Sequence, residues 1–327
     1  MALESSGLKS PFPYFGGKRK VAGVVWERFG DVRTYVEPFF GSGAVLLGRP
    51  EWHLRGNDIR FEFANDKNGF VANFWRALQC EPDTVAAHAD YPVFENDKHA
   101  RHAWIMSRKA DLVAKLEGNP DYYDAKIAGW WAWGASISIG NVMDRSSGAW
   151  SVVNEKLVRT PGAPNAITRS LFTSKNNGVN RSSNSVSYLY DLAARLKGVK
   201  VACGDWTRIV QPAFTTGAED YVSKAGIFLD PPYIHEERAA GLYAEDDVDL
   251  PAAVAAWVLA NGDNPKLRIA YCGYEDGTVL FPETWEKFAW SAHGGYDVNG
   301  ADNQNRHRET IWFSPHCLKA PEQLAMF

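Results

Sequence analysis

Long apolar runs are missing from this 327-residue chain. The longest, 251–260, is about half of what a bilayer-spanning helix needs, so no membrane segment is expected. The opening MALESSGLKSP has no apolar core of the kind a secretory leader carries, and none is expected. Cysteine is scarce: Cys80, Cys203, Cys272 and Cys317 are the only four, none in a CxxC pair. That spacing speaks against a zinc ribbon or a dithiol redox motif and fits a reduced, cytoplasmic setting. Positive charge is not in excess, with 35 Lys and Arg against 39 Asp and Glu. The chain as a whole therefore lacks the basic excess common in nucleic-acid binders. No internal repeat is evident.

What is present is unevenly spread. Between Arg145 and Lys200 nine basic residues face two acids, and between Glu236 and Asp249 six acids face one Arg. A local basic face can sit on a mildly acidic whole, although an ordinary solvated surface would look the same. Apolar patterning alternates between strand and helix. YVEPFFGSGAVLL, 35–47, reads as strand, glycine turn and helix. The stretch 59–78 reads as a strand alternating at Phe61 and Phe63, a turn or cap at Asn65, Asp66 and Asn68, then a helix carrying Phe70, Val71, Phe74, Trp75 and Leu78. The rhythm returns with a helix over 188–196, strands over 199–203 and 227–230, a helix over 251–260, and strands over 267–272 and 310–313. This order predicts an α/β fold with a doubly wound, Rossmann-like core. Between Cys80 and Asn184 the pattern weakens to helical pieces such as 99–116, the tryptophan-rich GWWAWG of 129–134, and a long Gly/Asn/Ser/Arg-rich portion over 141–187. We expect 8–78 and 186–327 to form the core, and 79–185 to be a mainly helical, loop-rich insertion.

Two motifs carry chemistry. In FFGSGAVLL, Gly41 and Gly43 lie between a strand and a helix, where glycine admits positive φ and close approach of a ligand to the backbone. The helix that follows would add N–H groups and a positive dipole end. The spacing is neither GxGxxG nor that of a P-loop. Asp66, at the end of the next strand, is placed to bind ribose hydroxyls, with Asp58 as a rival in a hairpin-like turn. The pair points to an adenosine-containing ligand. In GIFLDPPYIHEER, 226–238, proline stops a buried strand at Asp230. Asp230 and the carbonyl of Pro231, stiffened by Pro232, would accept hydrogen bonds from an exocyclic amino group and free its lone pair. Tyr233 would stack on a flipped base. A sulfonium methyl held in line would complete such a reaction with no metal. His235 is read as a loop residue.

DPPY after an apolar strand, with EPFFGSGAVLL upstream, resembles the amino-methyltransferases of DNA. The order of glycine motif, variable segment and DPPY is that of the α-group, and the chain resembles the Dam-like DNA adenine methylases, especially phage-borne relatives. PFPYFGGKRK at 11–20, VACGDW at 201–206 and NRHRETIWFSP at 305–315 add to the resemblance. It implies S-adenosylmethionine as cofactor, S-adenosylhomocysteine as product, no metal, and DNA, expected to be double-stranded, as partner in a bacterial or phage-infected cell. It implies a methionine-end role for Tyr14, Gly17 and Lys18, with Lys18 pairing with the cofactor carboxylate. Glu37, Pro38, Phe40, Gly41 and Gly43 would approach the cofactor, Asp66 would take its ribose, and Asp205 its adenine amino group. Asp230 would touch both cofactor and target amine.

The segment 130–150 departs from the cellular enzymes, so no recognised DNA sequence follows. Trp130 and Trp133 share a helical face and are expected in the core. Arg145, Arg159, Arg169 and Arg181 are candidates for phosphate or base contacts, with Arg238 for backbone phosphate. The nearest alternative is cytosine N4, whose enzymes more often carry Ser where Asp230 stands. Carbon-5 methylation is disfavoured because no cysteine follows a proline. A cofactor-binding protein without turnover and a nicotinamide dehydrogenase are the readings from other classes, and the latter gives no reason for DPPY.

Overall fold

The computed structural model describes residues 7–14, 17–50, 60–138, 143, 150–153, 156–159, 185–215, 224–232, 250–275, 279–290 and 309–319. The chain enters through α1 (Ala22–Phe29), β1 (Thr34–Glu37), the single turn α2 (Ala44–Leu47), β2 (Phe61–Asp66) and α3 (Gly69–Cys80). Four helices follow: α4 (Pro82–Ala89), α5 (Glu95–Met106), α6 (Lys109–Gly118) and α7 (Ala125–Ile137). A hairpin of β3 (Trp150–Val153) and β4 (Lys156–Arg159) comes next. Then come α8 (Ser185–Leu196), β5 (Val199–Cys203), α9 (Pro212–Thr215), β6 (Ala225–Leu229), α10 (Leu250–Asn261), β7 (Leu267–Tyr274), β8 (Glu286–Ala289) and β9 (Glu309–Phe313).

Seven strands form one sheet in the order β5-β2-β1-β6-β7-β9-β8. β9 alone runs against the rest, pairing antiparallel with both β7 and β8. The middle strands explain why the sheet is parallel and covered. Every residue of β1 and of β6 is buried, as expected for strands with helices on both faces. From β1 the chain winds outward through β2 to β5, then returns to β6 and winds the other way. The reversal between β1 and β6 is the point where such sheets hold ligands, outside the strands' carboxyl ends.

Helix α3 is buried on nearly all its faces. Its Arg76 donates through Nε to the carbonyl of Val201 in β5 (2.8 Å). Through one terminal nitrogen it reaches the carbonyls of Leu116, Asn119 and Tyr122 (3.0–3.3 Å). Asn73 exchanges two hydrogen bonds with the backbone of Asp124, whose carboxylate caps α7 at Ile127 N–H. α7 thus lies against α3, and its Trp131 joins the core that holds Phe12, Phe74 and Trp75. The glycine of GWWAWG at 129 has a packing reason: a Cβ there would come within 2.4 Å of His88 Cβ on α4. Trp130 and Trp133 flank the guanidinium of Arg101, at 5.3 and 4.6 Å, with only Trp133 fully buried.

The helix expected over 99–116 is two helices. At the junction, Ser107 Oγ and Arg108 both donate to the carbonyl of Trp104, competing with the helical ladder there. Five elements went unread: α1, α4, which starts on a proline at its first position, the β3–β4 hairpin inside the Gly/Ser-rich portion, the single turn α9, and the edge strand β8. Among the described residues no helix is long and apolar enough to cross a membrane.

A buried ion triad fixes one side of the sheet. Glu62 of β2 receives Arg195 of α8 bidentately (2.7 and 2.8 Å) and Arg49 (2.8 Å). Burial raises the Glu62 carboxyl, but the two guanidiniums outweigh it and hold it below its ordinary value of 4.5. The triad therefore stabilises fully above that value and loses its contribution as pH falls through the depressed one. Glu62→Ala should cost about 3 kcal/mol at neutral pH, since the buried Arg49 and the half-buried Arg195 lose their partner. Urea unfolding at pH 7 and pH 3 should show the gap between variant and parent shrinking at the lower pH.

Candidate functional site

Three strands of the sheet end in polar residues at the same edge: β1 in Glu37, β2 in Asn65 and Asp66, and β6 at Asp230 just beyond Leu229. They open on a cleft whose lining includes Tyr14, Gly17, Lys18, Glu37, Pro38, Phe40, Gly41, Asp66, Asp205 and Asp230. Those ten are also candidates from the sequence, and the topology brings them to one place from five separate stretches of chain.

The glycine turn is held from beneath. Gly41 (φ 46°) and Gly43 (φ 63°) are left-handed, the region open to glycine at little cost. A Cβ on Gly41 would lie 2.6 Å from Tyr14 Cε1, so the bare backbone lets Tyr14 lie against the turn. The Gly41 N–H donates to Asp66 Oδ2 (2.7 Å), and Asn68 N–H donates to Asp66 Oδ1 (2.9 Å). Trp75 Nε1 donates to the Gly41 carbonyl (3.0 Å). The N–H groups expected to face a ligand are in part taken by the protein's own carboxylates. α2 is a single turn, and a backbone hydrogen bond from Leu46 goes to Glu37. Burial, with Asp230 and Asp66 nearby, raises Glu37 well above the usual carboxylate range, and Tyr35 Oη donates to it (2.8 Å).

Asn65 locks the neighbouring ends together. Its side-chain amide donates to the carbonyl of Pro38 after β1 (3.1 Å) and to that of Gly204 after β5 (3.0 Å). Asp205 then caps the short turn 206–208, its Oδ1 accepting Thr207 N–H (2.9 Å) and the Thr207 hydroxyl. Trp206 stacks beside Phe39, ring centres 6.3 Å apart, and both line the cleft. Lys109 and Val113 of α6 close it from the other side.

Lys18 is the buried cation of the site. It is 4% exposed, and its Nζ lies 2.9 Å from Asp230 Oδ2 and 3.8 Å from Glu309 Oε2. Burial works against its charge, but the facing carboxylates, Asp230 first and Glu309 behind it, more than offset this and raise it above an ordinary lysine. The sequence reading paired Lys18 with a ligand carboxylate, whereas here its ammonium sits on Asp230.

Gly43 lies outside the cleft lining as the cap of α2, and Pro231 is buried behind it, while Pro232 lines it. Tyr233, Arg145, Arg169, Arg181 and Arg238 fall outside the described residues, as does the side chain of Arg159 at the end of β4. Sequence reasoning missed Asn65, Phe39, Trp206 and Lys109. Asn65 had a signal, a polar residue continuing an apolar strand beside the ribose-type acid. Lys109 had none, since only the fold brings α6 to this edge.

Residues 14–123 match the family model of the D12 class N6 adenine-specific DNA methyltransferases. That segment, about a third of the chain, is similar to this class of enzyme. The matched segment holds Lys18, the glycine turn, Asp66 and α3 to α6, and ends before Asp230. No curated protein matches the chain.

The Lys18–Asp230 pair changes what Asp230→Ala should do. A carboxylate that only faced a ligand at the strand's end would be dispensable for the fold. In the structure Lys18 would lose its 2.9 Å partner while buried, a loss of about 3 kcal/mol even with Glu309 facing it. Asp230→Asn, which keeps a hydrogen-bond acceptor, should cost clearly less. Urea denaturation of both variants checks the order.

Proposed function

We propose that the cleft binds S-adenosylmethionine and that Asp230 presents the N6 amino group of an unstacked adenine in DNA to it. The observation that carries this is the meeting of Asp66, Asp205, Asp230 and the Gly41 turn in one cleft at the switch point of the sheet. The residues fit the cofactor in kind. Asp66 at the end of β2 suits a ribose diol, and the ring faces of Phe39 and Trp206 suit a purine, with the acceptor Asp205 adjacent for its amino group. Tyr14 lies over the bare Gly41 backbone, where a side chain would intrude. When bound, the cofactor supplies an electrophilic methyl group on a sulfonium and leaves as S-adenosylhomocysteine.

The chain's own residues do the rest. An exocyclic amine conjugated with its ring attacks poorly. Acceptors that take both its N–H bonds draw the nitrogen toward sp³ and restore its lone pair. Asp230 is one acceptor and the Pro231 carbonyl, stiffened by Pro232, is the second. Tyr233 supplies a stacking face for the flipped base. As it gains the methyl group, the nitrogen sheds one proton to solvent. Because the acceptors stand in place before the reaction, little reorganisation is needed as charge develops.

Residues 79–185 supply the DNA-reading surface in this proposal, with Arg145, Arg159, Arg169 and Arg181 on phosphates or base edges and Arg238 on the backbone, the substrate being duplex DNA. Among the described residues no cluster of three or more His, Cys, Asp or Glu is arranged to hold a metal, and the proposal uses none.

Labelled S-adenosylmethionine and unmethylated plasmid, followed by digestion and nucleoside chromatography, should give label in N6-methyladenine. Label in N4-methylcytosine would keep the site and overturn the base. The four Arg→Ala variants at 145, 159, 169 and 181 should each weaken DNA binding and flatten its salt dependence, while cofactor affinity by calorimetry changes little. Unchanged DNA affinity in all four would remove the segment from the interface.

A further inference from the structure

Lys18 lies on the loop before α1, far in sequence from its partners. Asp230 comes from the end of β6, Glu309 from the first residue of β9 and Cys272 from the middle of β7. The chain has gathered two carboxylates around one ammonium from two neighbouring regions of the sheet. Trp290, following β8, puts its ring 5.8 Å from the same ammonium. Burying a lysine is costly unless strong partners face it, and here the stronger contact is with the acid that ends β6. A lysine meant only for a ligand's carboxylate would have no need of Glu309 behind it.

We propose that Lys18, anchored by Glu309, is a positioning residue for methyl transfer that fixes the orientation of the Asp230 carboxylate. This rests on the function proposed above. Lys18 holds Oδ2 of Asp230 at 2.9 Å, and that contact sets the rotation of the carboxylate that lines the cleft. Glu309, 3.8 Å from the same ammonium, keeps it from following a ligand into the cleft. Among the described residues the titratable groups facing Lys18 from the packed elements are Asp230, Cys272 and Glu309, and Cys272 is itself raised by burial and by Asp230. It is therefore a neutral thiol, and the charges that govern the lysine are the two carboxylates.

The arrangement separates two roles for Lys18 by what each would change. A positioning residue acts on turnover, whereas a cofactor contact acts on affinity. Lys18→Met should lower kcat about 100-fold, the scale of a misplaced catalytic group, with the cofactor Kd by calorimetry moving less than about threefold. Lys18→Arg, which restores a cation that can reach Asp230, should recover most of kcat. Glu309→Gln should show the same pattern more weakly. A tenfold rise in cofactor Kd with kcat unchanged would make Lys18 a cofactor contact and overturn the proposal. An independent reading does not need turnover: the cycle of Lys18→Met, Asp230→Asn and the double variant in urea unfolding should be clearly non-additive. Additive effects would also overturn the proposal. If the wild type labels no base while this cycle is non-additive, the functional reading fails and the pairing of Lys18 with Asp230 stands.

Discussion

The amide of Asn65 reaches two carbonyls that belong to different crossovers of the sheet, one after β1 and one after β5. With Asp66 beside it, holding Gly41 and Asn68 by their N–H groups, it ties three loops into one rim. Loops at the carboxyl ends of parallel strands have no ladder of their own to hold them. Here two consecutive residues of β2 replace that ladder with side chains. The glycine turn, the cap of α3 and the turn that carries Asp205 all take their positions from this pair. The cleft is therefore shaped by hydrogen bonds within the protein before any ligand enters.

A second constraint works at right angles to the first. Lys18 joins the loop before α1 to the end of β6 and the start of β9. The rim around Asn65 organises the half of the cleft nearest β2 and β5. The lysine organises the half nearest β6 and β9. Glu37, its carboxyl raised well above the usual range by burial and accepting the Tyr35 hydroxyl, sits between them at the end of β1.

Much of this was legible in the residues, and the exceptions have physical causes. β1, β6, β7 and β9 could be read because strands buried on both faces carry nearly unbroken apolar runs, and β2 from its alternation at Phe61 and Phe63. Asp230 was legible because proline ends a strand without ambiguity. The edge strand β8 alternates half-buried and exposed positions over four residues, too short a pattern to stand out. The break between α5 and α6 depends on Ser107 and Arg108 turning their side chains back on one carbonyl, which periodicity does not register. The partner of Lys18 was the least legible feature. A GGK motif specifies a lysine at a turn, but Asp230 and Glu309 reach it from positions more than two hundred residues away, and only the closed sheet brings them there.

The burial of β1 and β6 at every position has a consequence for how the site responds to fluctuation. Backbone amides in such strands exchange with solvent only when the whole sheet opens, whereas surface segments open on their own at much lower cost. Glu37 and Asp230 stand at the ends of these two strands, so the floor of the cleft belongs to the last part of the molecule to come apart. A partly unfolded form that keeps the outer helices but loses the central strands would have no site left. Any ligand that the cleft holds therefore selects the fully folded chain and slows amide exchange throughout the sheet, well beyond the residues it touches.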